Sequence, residues 1–373
     1  MSDSSPLEKQ LITCVVLFLL LGQVMLFSAT GVPALQRYGS EFYFVSRQAL
    51  SAVLGFLLML FLSKVKYQFW FKLAYVFFAI EVLLVAATFI PGVGHHAQGA
   101  SRWIRIQGFL LQPSELAKIV VPLFVARLLA EYKYEPFSTR KLLGASTAVF
   151  LLLGLIIKQP DLGTTTLLVL AILGMFFIAG LSLMYLFTGA ILGGIGFAAA
   201  LVHYEYRRKR LFAFLNPWAD PQGSGFQTIQ SFLSFHSGGI FGSGIGNGNS
   251  KLFYLPEVHT DFIFSLIGEE LGFIGAVVVV AVFVYFSYLL FRSSFKAADP
   301  FSCYFAFGLA FLLTAQVAVN LGGVTGLLPI KGLPLPFISW GRSALIVNLS
   351  MVGILLNIVR QSGPNSERVS SES

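Results

Sequence analysis

A single carboxylate stands where a polar run meets a long apolar stretch. Asp261 ends the polar run 257–261 and is followed directly by the apolar segment 262–291. A carboxylate at the mouth of a membrane cavity could act as a general base. The spacing is equally compatible with helix capping, in which Thr260 or Asp261 accepts the first free amide protons of a helix. The residues alone leave both interpretations open.

A cluster of positive charges precedes this carboxylate in the chain. Arg207, Arg208, Lys209 and Arg210 are consecutive. Arginine forks match phosphate oxygens, so Arg207 and Arg210 could hold a substrate diphosphate. A solvated patch, or contact with anionic lipid headgroups, explains the same run equally well.

Further ionisable residues lie within or beside apolar segments. Glu115 and Lys118 are three residues apart, which places them on one face of a helix. Charged groups at membrane depth are costly and are normally paired or line a wet cavity. A structural ion pair and a cavity wall are therefore both possible. Arg102 precedes this segment, and Asp161 lies in the break between the next two apolar runs.

The segment 328–339 also departs from a simple membrane span. It contains Pro329, Pro334 and Pro336 together with Lys331, so it cannot be regular helix throughout. Irregular backbone at membrane depth is tolerated only where it is buried in protein or lines a cavity. The charged and irregular stretches fall on one predicted face of the membrane, which suggests a single polar site there.

The elements that must position these residues are membrane-spanning helices. The chain has 373 residues, of which 56% are hydrophobic and 11% charged, whereas soluble domains carry about 25% charged residues. This composition excludes a soluble protein. Because a span needs about 20 apolar residues and the runs are continuous rather than alternating, we predict an all-α integral membrane protein with ten transmembrane helices. They are expected near 11–30, 46–63, 70–90, 114–130, 142–157, 163–181, 183–202, 262–291, 302–323 and 341–360.

One connection is far longer than the others. Residues 203–261 separate the seventh and eighth predicted spans, and loops of this length are usually functional or disordered. Its many aromatic residues favour docking on the membrane surface or over a cavity. Among the short connections, those on the same side as the N-terminus carry more lysine and arginine than those on the opposite side. With an even number of spans, this predicts that both termini lie in the cytoplasm. We therefore expect a single membrane domain over 1–361, with 203–261 extracytoplasmic and 362–373 a disordered cytoplasmic tail.

Several of these stretches together resemble the SEDS family of shape, elongation, division and sporulation proteins. The matching stretches are 99–104, 112–118, 159–164, 216–225, 256–271 and 328–339. The loop at 216–225 and the proline-rich run at 329–336 are more similar to the division members than to the elongation members. One position departs from the family pattern: Arg342 stands where the family usually has glycine.

The resemblance implies a ten-span peptidoglycan glycosyltransferase of the bacterial inner membrane, with its active site on the extracytoplasmic face. It implies Asp261 as the essential carboxylate, with Arg102, Glu115, Lys118, Glu257 and Lys331 around the cavity. The candidate substrate-binding set is completed by Gln159, Asp161, Arg207, Arg210, His259 and Ser339. A divalent cation, Mg²⁺ or Mn²⁺, is expected because it suits a diphosphate substrate, but its ligands are unassigned.

The expected substrates are lipid II and a glycan chain on undecaprenyl diphosphate. Asp261 would take the proton of the acceptor 4-hydroxyl, and cations would neutralise the departing diphosphate. Inversion of an α-linked donor gives a β-1,4 bond. The expected partners are a class B penicillin-binding protein and other divisome proteins, and no nucleic acid. A lipid II flippase is the alternative, although the chain shows neither an internal repeat nor a matching polar site on the inner face. A third hypothesis is a scaffold that only recruits a transpeptidase.

Overall fold

The architecture follows from long apolar runs that form helices and bury their small and polar positions against one another. The computed structural model describes residues 5–97, 100–106, 109–134, 139–182, 184, 189, 191, 193–194, 212–248, 258–330 and 332–361. In these residues the helices are α1 (Pro6–Tyr38), α2 (Tyr43–Leu62), α3 (Tyr67–Ala87), α4 (Pro113–Tyr134), α5 (Thr139–Lys158), α6 (Leu162–Ile178), α7 (Phe226–Gly238), α8 (Ile263–Phe295), α9 (Pro300–Val324) and α10 (Arg342–Gln361).

Each predicted span except the seventh coincides with one of these helices. The seventh, at 183–202, lies outside the described residues but for a few isolated positions, so the count of ten stays a prediction. Within the described part of the chain, six helices are long and apolar enough to cross a membrane, namely α1, α2, α3, α8, α9 and α10. The chain is thus a multi-pass membrane protein.

The core lies where α10 packs against α2 and where α8 and α9 pack together. In the most apolar stretch of α10, 89% of the residues are buried, so α10 is a central helix. A Cβ on Gly353 of α10 would overlap the backbone of Met59 of α2. Glycine at this position therefore allows the two helices to approach closely, as small residues do at membrane helix interfaces.

The prediction of an all-α fold was wrong in one place. Between α3 and α4 the chain forms a small antiparallel sheet of β1 (Gly94–Ala97), β2 (Ala100–Ile106) and β3 (Phe109–Leu111), in the order β1-β2-β3. In β2, Ile104 is buried and its neighbour Arg105 is exposed, which is the alternation of a half-buried strand. β1 and β3, with four and three residues, are too short to stand out in a sequence dominated by apolar helices.

The described part of the long connection packs against α8. Helix α7 runs beside the start of α8, where the hydroxyl oxygens of Ser231 and Ser265 lie 2.7 Å apart. The glycine-rich turn 239–246 follows α7, and its Ser243 N donates a hydrogen bond to Glu269 O at 3.0 Å. This contact lies close to Gly272, which interrupts α8 with a φ of 69°. This contact lies roughly 10 Å along the α8 axis from its first turn. The segment is therefore docked along a membrane helix.

Candidate functional site

Asp261 lies in the turn that leads into α8 and is half-buried. The N-cap position of α8 is Phe262, so neither Thr260 nor Asp261 occupies the position that a capping residue takes. The backbone oxygen of Asp261 accepts a hydrogen bond from Asn320 Nδ2 of α9 at 2.9 Å. The turn that carries the carboxylate is thereby attached to a neighbouring helix.

The Asp261 carboxylate faces the irregular segment between α9 and α10. A Cβ built on Gly332 would lie 3.2 Å from Asp261 Oδ2, and Gly332 has a φ of 64°. Both the close approach and the left-handed backbone favour glycine at this position. Lys331 precedes Gly332 in the sequence but lies outside the described residues.

The same segment is held in place from several sides. Leu333 O accepts from Asn320 Nδ2 at 2.7 Å, and Pro334 O accepts from Gln316 Nε2 at 2.8 Å. Ser339 is buried, and its hydroxyl oxygen accepts from Leu335 N at 2.8 Å. The Ser339 side chain thus closes a turn of this segment, and its contact with substrate stays a prediction.

His259 lies on the other side of the Asp261 turn. Its backbone oxygen accepts from Trp340 N at 2.8 Å, which joins this turn to the segment before α10. Its ring centroid lies 5.5 Å from that of Phe44 on α2. His259 is partly buried two residues from Asp261, so the structure brings it to the site region.

Glu115 and Lys118 form the ion pair that their spacing predicts. Lys118 Nζ lies 2.9 and 2.8 Å from the two Glu115 carboxylate oxygens and donates to Gln316 Oε1 at 2.8 Å. The two side chains are almost fully buried. Because Gln316 also binds Pro334 O, the pair connects through α9 to the segment that faces Asp261.

Arg102 links the small sheet to the connection between α5 and α6. Its Nε donates to Gln159 O at 2.8 Å and its Nη2 to Pro160 O at 2.7 Å. The Gln159 side chain points the other way and donates to Thr88 Oγ1 at 2.6 Å. The contacts of Arg102 and Gln159 are therefore with the protein backbone and with α3.

Asp161 is the N-cap of α6. Its Oδ1 accepts from Thr164 N at 3.1 Å, and its Oδ2 accepts from Ser114 Oγ at 2.9 Å. Asp161 is 6% exposed. Both carboxylate oxygens are thus engaged by protein donors, which supports a positioning role for Asp161.

The remaining candidate residues cannot be placed. Arg207, Arg210, Glu257 and Lys331 lie outside the described residues. Arg342, the departure from the family pattern, begins α10 and donates its Nε to Ser51 Oγ of α2 at 3.2 Å.

The described residues give no protein-only cage for the expected divalent cation. Across the described ranges, no three side chains of His, Cys, Asp or Glu lie together in a metal-binding arrangement. Asp261 is the candidate residue whose carboxylate the structure places at the site, and hard divalent cations require more oxygen ligands than one carboxylate supplies. Mg²⁺ is commonly held by one or two carboxylates together with substrate phosphates and waters, so the expected divalent cation stays a prediction.

Two site residues escaped the sequence analysis. Gln316 and Asn320 are buried amides four residues apart on α9, and both bind backbone carbonyls of the irregular segment. Their signal was present in the sequence, because polar residues inside a span commonly form hydrogen bonds between elements. Because neither residue carries a charge, hydropathy alone does not distinguish them from the rest of an apolar run.

Comparison with known proteins assigns the family. The model of the family described as Cell cycle protein, FtsW/RodA/SpoVE, matches residues 8–363. The chain is 45% identical over 340 residues to the probable peptidoglycan glycosyltransferase FtsW of Geobacter metallireducens, with 90% of each chain covered. It is 38% identical over 353 residues to the stage V sporulation protein E of Bacillus subtilis, covering 94% of this chain and 96% of that protein.

Solved structures show the same similarity. A chain from a peptidoglycan synthase complex, described in terms of coordinated polymerization and crosslinking, matches with a TM-score of 0.76 at 29% identity, covering 95% of this chain and 98% of that one. The rod shape determining protein RodA of Thermus thermophilus matches with a TM-score of 0.68 at 27% identity, covering 94% and 96%. The chain therefore belongs to the FtsW/RodA/SpoVE family of cell cycle proteins.

Proposed function

We propose that this chain is a peptidoglycan glycosyltransferase that polymerises lipid II during cell division or the maintenance of cell shape. The observation that carries the proposal is the position of Asp261, whose carboxylate faces Gly332 in a turn fixed by Asn320. The names of the relatives support the activity. The buried pair of Glu115 and Lys118 connects to this place through Gln316.

The reaction needs a base for the acceptor and positive charge for the leaving group. Asp261 accepts the proton of the 4-hydroxyl of lipid II as the hydroxyl oxygen bonds to the anomeric carbon of the donor glycan. The bond from that carbon to the undecaprenyl diphosphate breaks, and the diphosphate leaves with the electron pair. Displacement from an α-linked donor inverts the anomeric centre and gives the β-1,4 bond, without a second carboxylate as nucleophile.

Positive side chains stabilise the charge that develops on the diphosphate. Lys331 is adjacent in sequence to Gly332 and is the first candidate, with Arg207 and Arg210 as the others. Arg102 uses its Nε and Nη2 on backbone carbonyls, so we assign it to holding the connection between α5 and α6. A divalent cation would serve the diphosphate as well, but the described residues supply no set of ligands for it.

The proposal also includes the membrane location of the chain and its protein partner. The proposed location is the bacterial inner membrane, with both termini in the cytoplasm and Asp261 near the outer surface. The excess of lysine and arginine in the short loops predicted to be cytoplasmic supports this orientation. A class B penicillin-binding protein is the partner that would cross-link the product. The similarity to a chain of a peptidoglycan synthase complex supports such a partner.

The activity is tested with the purified chain, together with a class B penicillin-binding protein whose transpeptidase is blocked by a β-lactam. Fluorescent lipid II in detergent should yield glycan strands that a muramidase digests. Asp261→Asn should abolish the strands and leave the thermal unfolding temperature close to the wild type, because the amide keeps the size but cannot accept the proton.

Asp299→Asn is the matched control for this substitution. Asp299 caps α9 with Oδ1 accepting from Ser302 N at 3.0 Å, and asparagine caps a helix as well as aspartate does. This variant should polymerise as the wild type does. Substantial synthesis by Asp261→Asn would remove the base assignment.

If the wild type transferred lipid II across vesicle membranes and formed no strands, it would be a flippase, and if it did neither it would be a scaffold.

A further inference from the structure

Helix α9 carries two buried amide side chains on one face. Gln316 and Asn320 are four residues apart, and they are 1% and 5% exposed. Residues at this spacing lie one above the other on a helix. A buried amide in an apolar helix requires partners, because an unsatisfied polar group in a dry environment is costly.

The partners of both amides are backbone carbonyls near the candidate base. Gln316 donates to Pro334 O, and Asn320 donates to Leu333 O at 2.7 Å and to Asp261 O at 2.9 Å. Asn320 is therefore bonded to both of the segments that meet at the carboxylate. One segment carries Asp261, and the other places Gly332 beside Asp261 Oδ2.

The orientation of the Asn320 amide follows from these two contacts. Its nitrogen has two protons, and each is directed to a carbonyl oxygen. The reverse orientation would place Asn320 Oδ1 against two carbonyl oxygens, where no proton is available. Asn320 Oδ1 is buried and has no hydrogen-bond partner in the described part of the chain, so the two donated bonds are what fix this side chain.

We infer that Asn320 is a positioning residue for glycosyl transfer, and this inference rests on the proposed function. By holding Asp261 O and Leu333 O together, Asn320 sets the position of the carboxylate relative to the segment 328–334. It acts through the backbone of Asp261 and does not itself contact the reacting atoms. A displacement of a catalytic group by about 1 Å lowers turnover by about a hundredfold, so loss of this bridge should lower kcat.

The test compares Asn320→Leu with Asn357→Leu. Asn357 is 3% exposed and donates Nδ2 to Ser63 O at 3.0 Å, but it lies in the last turns of α10, far from the Asp261 end of that helix. Both substitutions replace a buried amide by an apolar side chain of similar size. Each removes two hydrogen bonds, since Asn357 Oδ1 also accepts from Gln361 Nε2 at 2.6 Å. Both should therefore lower the thermal unfolding temperature by similar amounts, since a lost hydrogen bond of this kind has a similar effect at either place.

Turnover should separate the two variants. Asn320→Leu should lower kcat for lipid II polymerisation by about tenfold or more, with little change in KM, because the bridge orients the base and does not bind substrate. Asn357→Leu should keep the kcat of the wild type. Asn320→Gln keeps both donors but displaces them by one methylene, so its kcat should lie between those of the wild type and Asn320→Leu. This variant also decides the matter if Asn320→Leu fails to fold.

Two kinds of failure are distinguishable when Asp261→Asn is measured alongside. Equal kcat in Asn320→Leu and Asn357→Leu would overturn the positioning role while the proposed function stood. If Asn320→Leu did not fold, wild-type kcat in Asn320→Gln would overturn it. A fall that appears only in KM would also overturn it, since the residue would then act on substrate binding. If the wild type made no polymer, or Asp261→Asn made as much as the wild type, the proposed function would fail and this inference with it.

Discussion

Ser114 Oγ lies 2.9 Å from Asp161 Oδ2 and joins the first turn of α4 to the N-cap of α6. Glu115, the next residue, points to Lys118 on its own helix. The first turn of α4 therefore connects the break between α5 and α6 to the network that runs through α9 toward Asp261. The contact is between a hydroxyl and a carboxylate in a buried place, which makes it stronger than a neutral hydrogen bond.

Ser114→Ala should lower the stability of the protein by about 1.5–3 kcal/mol, because it removes a buried hydrogen bond to a charged group. The measurement is thermal or denaturant unfolding in detergent, together with polymerisation per folded molecule. Ser350→Ala is the control, since among the described residues Ser350 Oγ bonds only to Ile346 O of its own helix at 2.7 Å. The stability loss of this variant should be much smaller. If the two variants unfolded alike, the link between α4 and α6 would have no special role.

The long helices that coincide with predicted spans could be predicted because continuous apolar runs of sufficient length form α-helices in a membrane. The three-stranded sheet could not, since a strand such as β3 (Phe109–Leu111) is too short for a periodic signal. The position of the glycine-rich turn could not be predicted either. Its partner, the interrupted part of α8 near Gly272, depends on contacts that no local pattern contains.

The candidate site was predicted in part. The pairing of Glu115 with Lys118 follows from helical spacing, and the structure contains it. Asp161 and Ser339 are polar residues in the matching stretches, and in the structure their side chains cap a helix and close a turn. Their contact with substrate stays a prediction. Sequence patterns of this kind do not distinguish a polar group that faces substrate from one that satisfies the backbone. That distinction requires knowing the hydrogen-bond partners of each polar atom in the structure.

The Glu115 and Lys118 pair should show strong coupling in stability. Glu115→Gln or Lys118→Met alone leaves a buried charge without its partner, which should destabilise the protein by about 3–5 kcal/mol. The double variant removes both charges and should recover most of this loss, although the bond from Lys118 to Gln316 is not restored. A double-mutant cycle from denaturant unfolding measures the coupling.

The activity of the double variant separates structure from catalysis. If the pair only supports the fold, polymerisation should return with stability. If Glu115 and Lys118 also act on substrate, a well-folded double variant should stay slow. Additive single and double effects on stability would contradict the buried pair itself.

The basic run 207–210 lies outside the described residues, so its prediction rests on chemistry alone. If Arg207 and Arg210 grip a diphosphate, Arg→Lys at either position should slow polymerisation, because lysine lacks the planar fork. Arg208→Lys is the matched control and should behave as the wild type. Headgroup contact alone would make all three variants alike, with each charge contributing about 1 kcal/mol to membrane binding. Polymerisation rate at equal protein level decides between these outcomes.

Gly332→Ala tests the closeness of the irregular segment to Asp261. The added Cβ would lie 3.2 Å from Asp261 Oδ2, and the φ of 64° is unfavourable for alanine. The backbone strain should destabilise the protein by about 1–2 kcal/mol. Displacement of the carboxylate should in addition lower kcat by about tenfold or more. Lipid II polymerisation and thermal unfolding measure the two effects separately.

Gly39→Ala provides the control that separates strain from contact. Gly39 follows α1 with a φ of 71°, and a Cβ there would meet no atom of the described residues within 4 Å. Gly39→Ala should therefore show the same loss of stability as Gly332→Ala while it keeps the turnover of the wild type. If Gly332→Ala polymerised lipid II as fast as Gly39→Ala, the carboxylate would tolerate displacement at this contact. The close approach of Gly332 to Asp261 would then have no part in catalysis.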